Sequence, residues 1–339
     1  MNSLKNIVYK FSSAGFRRHL GVSMGKFQFY ALKAPVVGKM IWREKIKRLS
    51  DKPHHVSLEL TSVCNAKCIM CPRHNMEREM KVMDFNLFKK IIDDCAELGV
   101  KRFGLNGYGE IFTAKKYYAQ FIDYLQSKIP DAVIIINTNA SLMWEEQAQY
   151  LIDKKIDTVH VDIDGATKKT FETVREKLNF EDVVNNTKRL IELRKAQGKI
   201  LPKVRVGMIV QKENDHEYKQ HYEMWKDVAD YTSQDYMVSR LSSVVKYKEE
   251  KIVGHPCSLP FFDLNIWSDG NAVMCCDDWN AEEKMGNVMN SSIKEIWNND
   301  KFKNVRKLHQ EGRAAELSTC SKCDWSRPGP GWFQAHFEG

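Results

Sequence analysis

Acidic residues are almost missing from the first fifty positions, which hold Glu44 alone against eleven Lys or Arg. That segment therefore carries +10 and the rest of the 339-residue chain −2, so the body is not a basic protein and no specific nucleic acid binding is expected of it. No run approaches the ~18 uncharged apolar residues of a spanning helix, and the start lacks the n-region, h-region and cleavage site of a secretory signal. A cytoplasmic protein is expected. Internal repeats and low-complexity tracts are also missing, which excludes solenoids and linker-rich chains. With no export signal, the nine cysteines read as thiols free for metal or catalysis rather than as a disulfide framework.

What is present is a globular composition, 43% apolar, long enough for one large α/β domain and a smaller one. Within the basic segment, Leu4, Ile7, Val8 and Phe11 have helical spacing, and Met40, Ile41 and Ile46 suggest a second helix after Pro35 and Gly38. These helices either pack on the body or rest on an anionic membrane surface, nucleic acid or an anionic substrate. A transit peptide has a similar composition.

From residue 51, apolar strands alternate with amphipathic helices. Strands are expected at Val56–Leu60, Arg102–Leu105, Ala132–Ile136, Thr158–Ile163, Val204–Val210 and Tyr236–Val238. Helices are expected at Phe85–Leu98, Tyr117–Leu125, Glu145–Ile152, Phe180–Lys195 and Glu217–Val228. Six such units make a parallel partial barrel with its site at the C-terminal ends of the strands. Near Ile252 the texture changes to a hairpin around Ser268-Asp269-Gly270-Asn271 and a helix over Ser292–Leu308. The expected domains are 1–50, a helical extension; 51–250, the barrel; and 251–339, a small α+β unit.

Three thiols, Cys64, Cys68 and Cys71, follow the first strand on one short loop. Three ligands from one loop suit a [4Fe-4S] cluster with one iron left open; half of a zinc ribbon is the other reading. This CxxxCxxC loop, with Pro72 after it, resembles that of the radical S-adenosylmethionine (radical SAM) enzymes. The resemblance implies a (β/α)6 partial TIM-like barrel, S-adenosylmethionine chelated to the open iron, and its cleavage to a 5′-deoxyadenosyl radical that abstracts hydrogen from substrate.

Other stretches follow in the family's order. Gly107-Tyr108-Gly109-Glu110 is similar to the GGE-like stretch that binds the methionyl amino group, with Tyr inserted. Thr138-Asn139-Ala140 resembles the family's Thr-Asn-Gly turn. Asp162 stands where Ser is common near the ribose, Arg175 on the following helix where an Arg pairs with the methionyl carboxylate, and Asn214 where an Asn lies on the adenosine side. Cys95 reads as a core residue.

In the C-terminal part, Cys257, Cys275, Cys320 and Cys323 resemble the ligand set of the Twitch form of SPASM domains, as do Gly286-Asn287-Val288 and Ile293 to Trp297. That resemblance implies one auxiliary [4Fe-4S] cluster. Cys276 in place of Cys275, and zinc in place of the cluster, stay open. The implied activity is that of an oxidoreductase acting on a carbohydrate or cyclitol alcohol, with the auxiliary cluster as electron acceptor and flavodoxin or ferredoxin as donor. A SPASM-type peptide-modifying enzyme is the alternative, and a non-catalytic metal-stabilised binding protein a third. Asp164, His160 and Asp278 are candidate proton acceptors.

Overall fold

A computed structural model describes residues 51–236, 257–321 and 323, all within one compact unit. The two helices expected in 1–50 lie outside the described residues. No helix among the described residues is long and apolar enough to cross a membrane.

The strands are β1 (His55–Leu58), β2 (Lys67–Cys68), β3 (Arg102–Leu105), β4 (Val133–Thr138), β5 (Thr158–Asp162), β6 (Arg175–Glu176), β7 (Lys203–Val210), β8 (Tyr231–Tyr236), β9 (Asp263–Ile266), β10 (Asn271–Val273) and β11 (Lys284–Asn287). Nine of them form a single sheet in the order β11-β10-β9-β1-β3-β4-β5-β7-β8, and β2 pairs with β6 apart from it. From β9 to β8 every neighbouring pair is parallel. The expected α/β partial barrel is therefore present, extended at one edge.

Alternate strand residues explain the layering. Ile134, Ile136, Val159, Val161, Val204 and Val206 are buried in one core with the helices, whereas the intervening residues of β4, β5 and β7 are only half-buried on the concave face. The helix Phe85–Leu98 shows how the outer layer forms. Asp84 accepts from the Asn86 and Leu87 amides, Phe88, Ile91, Ile92 and Cys95 are buried, and Gly99 ends the helix at φ 65°. Cys95 is thus a core residue.

Three expectations shift. The last barrel strand starts at Tyr231 rather than Tyr236, because an edge strand of Thr, Ser and Gln carries little apolar period. The expected helix over Ser292–Leu308 is two helices, Ile293–Asn298 and Asp300–Glu311, because the Asn299 side chain caps the second by accepting from the Phe302 amide. Arg175 is not on a helix. That helix, Lys168–Val174, ends one residue earlier, and Arg175 pairs with Cys68 in the β2–β6 ribbon.

Among the described residues, the C-terminal segment builds no sheet of its own. β9 runs parallel to β1, Leu58 opposite Ile266, and the hairpin to β10 turns at Gly270 with φ 82°.

Ala140 holds φ 58°, a left-handed conformation that costs an L side chain about 1–2 kcal/mol. The extra chain entropy of glycine and the loss of a methyl that is 0% exposed offset that strain, so Ala140→Gly is expected to change stability by less than about 1 kcal/mol, against the larger loss usual for emptying a core site. Chemical denaturation reads this directly, and a loss above about 2 kcal/mol would contradict the strain.

Candidate active site

The loops after β1, β3, β4, β5 and β7 meet at the C-terminal edge of the sheet. The cysteine loop is closed by the Cys71 amide donating to the Cys68 carbonyl at 3.1 Å and by Arg73 Nη2 donating to the Ala66 carbonyl at 2.6 Å. Pro72 opens the short helix Pro72–Asn75 that ends it. The Ala66 amide donates to Cys64 Sγ at 3.5 Å, a bond suited to a thiolate ligand. All three thiols are half-buried, and burial raises each pKa above the ordinary thiol value. An all-thiol donor set on one loop fits an iron-sulfur cluster, whose positive iron would offset that burial.

Most of the residues singled out from the sequence converge here. Glu110 is buried, its Oε1 accepting from Thr138 Oγ1 at 2.6 Å and its Oε2 from the Asn139 amide at 2.7 Å. Burial outweighs these bonds and pushes its carboxyl up to about 6. Asn139 Nδ2 donates to Asn65 Oδ1 at 3.1 Å, tying the β4 turn to the cysteine loop. Arg175, opposite Cys68, donates through Nε to Asp164 at 2.7 Å and lies 3.7 Å from Asp162. Asn214 donates to the Asp164 and Ile209 carbonyls and accepts from the Gln211 amide, so its amide group is committed to the ends of β5 and β7.

Gly107 and Gly109 lie against the chain itself. A Cβ at Gly109 would stand 2.1 Å from the Thr61 carbonyl oxygen and one at Gly107 2.5 Å from Glu59 Cγ. Tyr108 does not join the cysteine loop. Its hydroxyl donates to the Cys276 carbonyl at 2.7 Å and its ring meets Trp267 edge-on.

Sequence reasoning missed Glu59, the one acid in the first strand's apolar run. It is 0% exposed, takes both Nη atoms of Arg78 at 2.9 and 3.1 Å, and accepts from the Tyr108 amide and from Ser268 N and Oγ. Arg78 Nε donates to the Trp279 carbonyl at 2.6 Å. A lone acid in a core strand was the signal available.

Among the C-terminal thiols, His309 joins two, its Nδ1 3.3 Å from the Cys257 amide and its Nε2 3.6 Å from Cys320 Sγ. Burial lowers the His309 pKa to about 4. The Cys323 amide donates to the Cys320 carbonyl. Burial, with Cys257 and Cys323 nearby, pushes the Cys320 thiol up. Cys275 packs on the same core as Cys320, whereas Cys276 packs on the Trp267 cluster with Tyr108. Cys275, Cys276 and Asp277 also offer ligand atoms within 4.8 Å of one another. Of the candidate bases, Asp164 is buried on Arg175 and the Ile209 amide, and Asp278 caps the Glu282 and Glu283 amides. His160 is half-exposed on the concave face.

The Radical SAM superfamily profile matches residues 58–224, and that of SPASM, an iron-sulfur cluster-binding domain, residues 257–324. An S-adenosyl-L-methionine-dependent 2-deoxy-scyllo-inosamine dehydrogenase of Niallia circulans is 24% identical over 272 residues, 79% of this chain and 92% of its own. A tungsten-containing aldehyde ferredoxin oxidoreductase cofactor-modifying protein of Pyrococcus furiosus is 24% identical over 323 residues, 80% of this chain and 89% of its own. The crystal structure of BtrN with AdoMet and 2-DOIA superposes with TM-score 0.56 at 23% identity, covering 80% of this chain and 92% of that one. Native anSMEcpe with bound AdoMet gives 0.60 at 16%, covering 82% and 88%. These structural likenesses concern the fold.

Removing Glu59 would leave Arg78 charged, 6% exposed and without its carboxylate. Glu59→Ala is expected to cost about 3–5 kcal/mol in chemical denaturation. A cost below about 1 kcal/mol would show that the pair is not structural.

Proposed function

The chain belongs to the radical SAM superfamily and carries a C-terminal SPASM iron-sulfur domain, and from that premise we propose that it oxidises a secondary alcohol of a cyclitol or amino sugar to a ketone. When bound, the clusters and S-adenosylmethionine supply a 5′-deoxyadenosyl radical and an acceptor for the substrate's second electron. Cys64, Cys68 and Cys71 would hold the first cluster, and Cys257, Cys275, Cys320 and Cys323 the second.

The chain's own residues then orient and exclude. Glu110 has one acceptor direction left on Oε2 for the methionyl amino group. Arg175, pinned by Asp164 beside Cys68, would face the methionyl carboxylate, while Asp162 serves the ribose. Gly107, Gly109, Thr138, Asn139 and Asn214 hold the loops in place around them.

The observation that carries the substrate class is the concave face. Asn137, His160 and Arg205 stand side by side on β4, β5 and β7, with Asp162 one step above and Arg205 Nε bonded to Ser233 Oγ at 2.9 Å. A lining with both charges and many hydrogen-bonding groups favours a polyhydroxylated substrate, whose hydroxyls can both donate to and accept from such groups. The inosamine dehydrogenase named above agrees with it. His160, half-exposed there, is the proposed acceptor of the hydroxyl proton. A cytoplasmic setting, an external donor such as flavodoxin or ferredoxin, and contact of 1–50 with an anionic membrane belong to the proposal too. The last rests on charge alone.

Glu110 must be ionised for Oε2 to accept from the methionyl amino N–H, and burial pushes its carboxyl up to about 6. Affinity for S-adenosylmethionine is therefore expected to rise with pH up to about 6 and then level, about tenfold weaker at pH 5 than at pH 7. Glu110→Gln should flatten that profile at low affinity. A pH-independent wild type would remove Glu110 from the amino-group site.

The function is tested anaerobically with reductant, S-adenosylmethionine and a panel of aminocyclitols, sugars and short peptides. One ketone per 5′-deoxyadenosine on an aminocyclitol or sugar is expected, with His160→Ala slower by roughly 10²-fold. Turnover of peptides alone would replace this reading by peptide modification.

A further inference from the structure

We infer that His309 donates a hydrogen bond through Nε2 to the Cys320 sulfur and so raises the reduction potential of the auxiliary cluster. The inference rests on the proposal that Cys257, Cys275, Cys320 and Cys323 hold that cluster.

The tautomer follows from the geometry. His309 lies in the last turn of the helix Asp300–Glu311, 3% exposed. Its Nδ1 faces the Cys257 amide at 3.3 Å. A backbone N–H can only donate, so Nδ1 is the acceptor and carries no proton. The ring's proton is then on Nε2, 3.6 Å from Cys320 Sγ, and the bond runs from nitrogen to sulfur. With its proton there, Nε2 has no lone pair for iron.

The ring is held in this pose. Phe302, Val305 and Leu308 of the same helix are buried in the core, and Gly312 closes the helix at φ 75°. One imidazole thus touches the neighbourhoods of two ligands that stand far apart in sequence.

A hydrogen bond to a ligand sulfur withdraws charge from the cluster and favours its reduced form. Asp278 and Glu283 bring negative charge toward Cys320 and act in the opposite sense. The sign suits the role. An acceptor for the substrate's electron must be easier to reduce than the cluster that cleaves S-adenosylmethionine.

The test is an EPR-monitored redox titration of the full chain with Cys64, Cys68 and Cys71 changed to Ala, so that only the auxiliary cluster reports. His309→Phe is expected to make reduction about tenfold less favourable, a shift of 59 mV to more negative potential for a one-electron couple. His309→Gln, which keeps an N–H donor, should stay near the parent. An unchanged midpoint in His309→Phe with the signal intact overturns the inference alone. If His309→Phe loses the signal, a parent-like His309→Gln supports the bond, and loss in His309→Gln as well overturns it. Strong coupling to 15N-labelled histidine would make His309 a ligand and overturn it too. A parent with no reducible signal overturns the cluster reading, and this inference with it.

Discussion

Glu59 is the constraint on which the arrangement depends. A carboxylate with no exposure survives in a core strand only when its charge is matched and its lone pairs filled, and here both conditions are met. Arg78 matches the charge from just beyond the cysteine loop, Tyr108 contributes its amide from the loop after β3, and Ser268 contributes two donors from the C-terminal hairpin. One buried ion therefore fixes the spacing of three segments that would otherwise be set by loops. Arg78 passes the constraint on to the Trp279 carbonyl and the Trp267 ring, beside the pair Cys275 and Cys276.

Around that anchor the chemistry divides into two neighbourhoods. Glu110, Thr138 and Asn139 meet the cysteine loop at Asn65 and Arg175 with Asp164 meets it at Cys68, so a carboxylate and a guanidinium, each held by buried bonds, lie against the loop. The C-terminal thiols form the second neighbourhood on an extension of the same sheet, since β9 pairs directly with β1. Tyr108 spans the two, its amide on Glu59 and its hydroxyl on the Cys276 carbonyl. The tyrosine inserted in the glycine stretch thus has a structural role that its neighbours' resemblance to a methionine-binding motif did not suggest.

Much of this was legible in the sequence, because the barrel strands are apolar on the helix side and some of the helices carry clear caps, Asp84, Thr167 and Asn179 among them. Asp84 and Gly99 bracket Phe85–Leu98 at the residues expected from spacing alone. What escaped was long-range. The β2–β6 pairing takes Arg175 off its helix through a two-residue ribbon that no periodicity announces. The continuation of the barrel by β9 depends on a partner more than 200 residues away. Cys64, Cys68 and Cys71 were visible because three soft donors on one loop have few other uses. Glu59 was not singled out because its partners come from three separate segments. His309 went unnoticed for a related reason, since a histidine in an amphipathic helix has no signature until Cys257 and Cys320 are placed beside it.

The central claim is that this chain holds two iron-sulfur centres, the second in position to accept an electron. It is tested most directly by iron per chain after anaerobic reconstitution of the variant with Cys64, Cys68 and Cys71 all changed to Ala. The account predicts about four irons, a complete cluster held by the C-terminal thiols. Near-zero iron with bound zinc would contradict it, leaving the C-terminal domain structural and the oxidation without its acceptor.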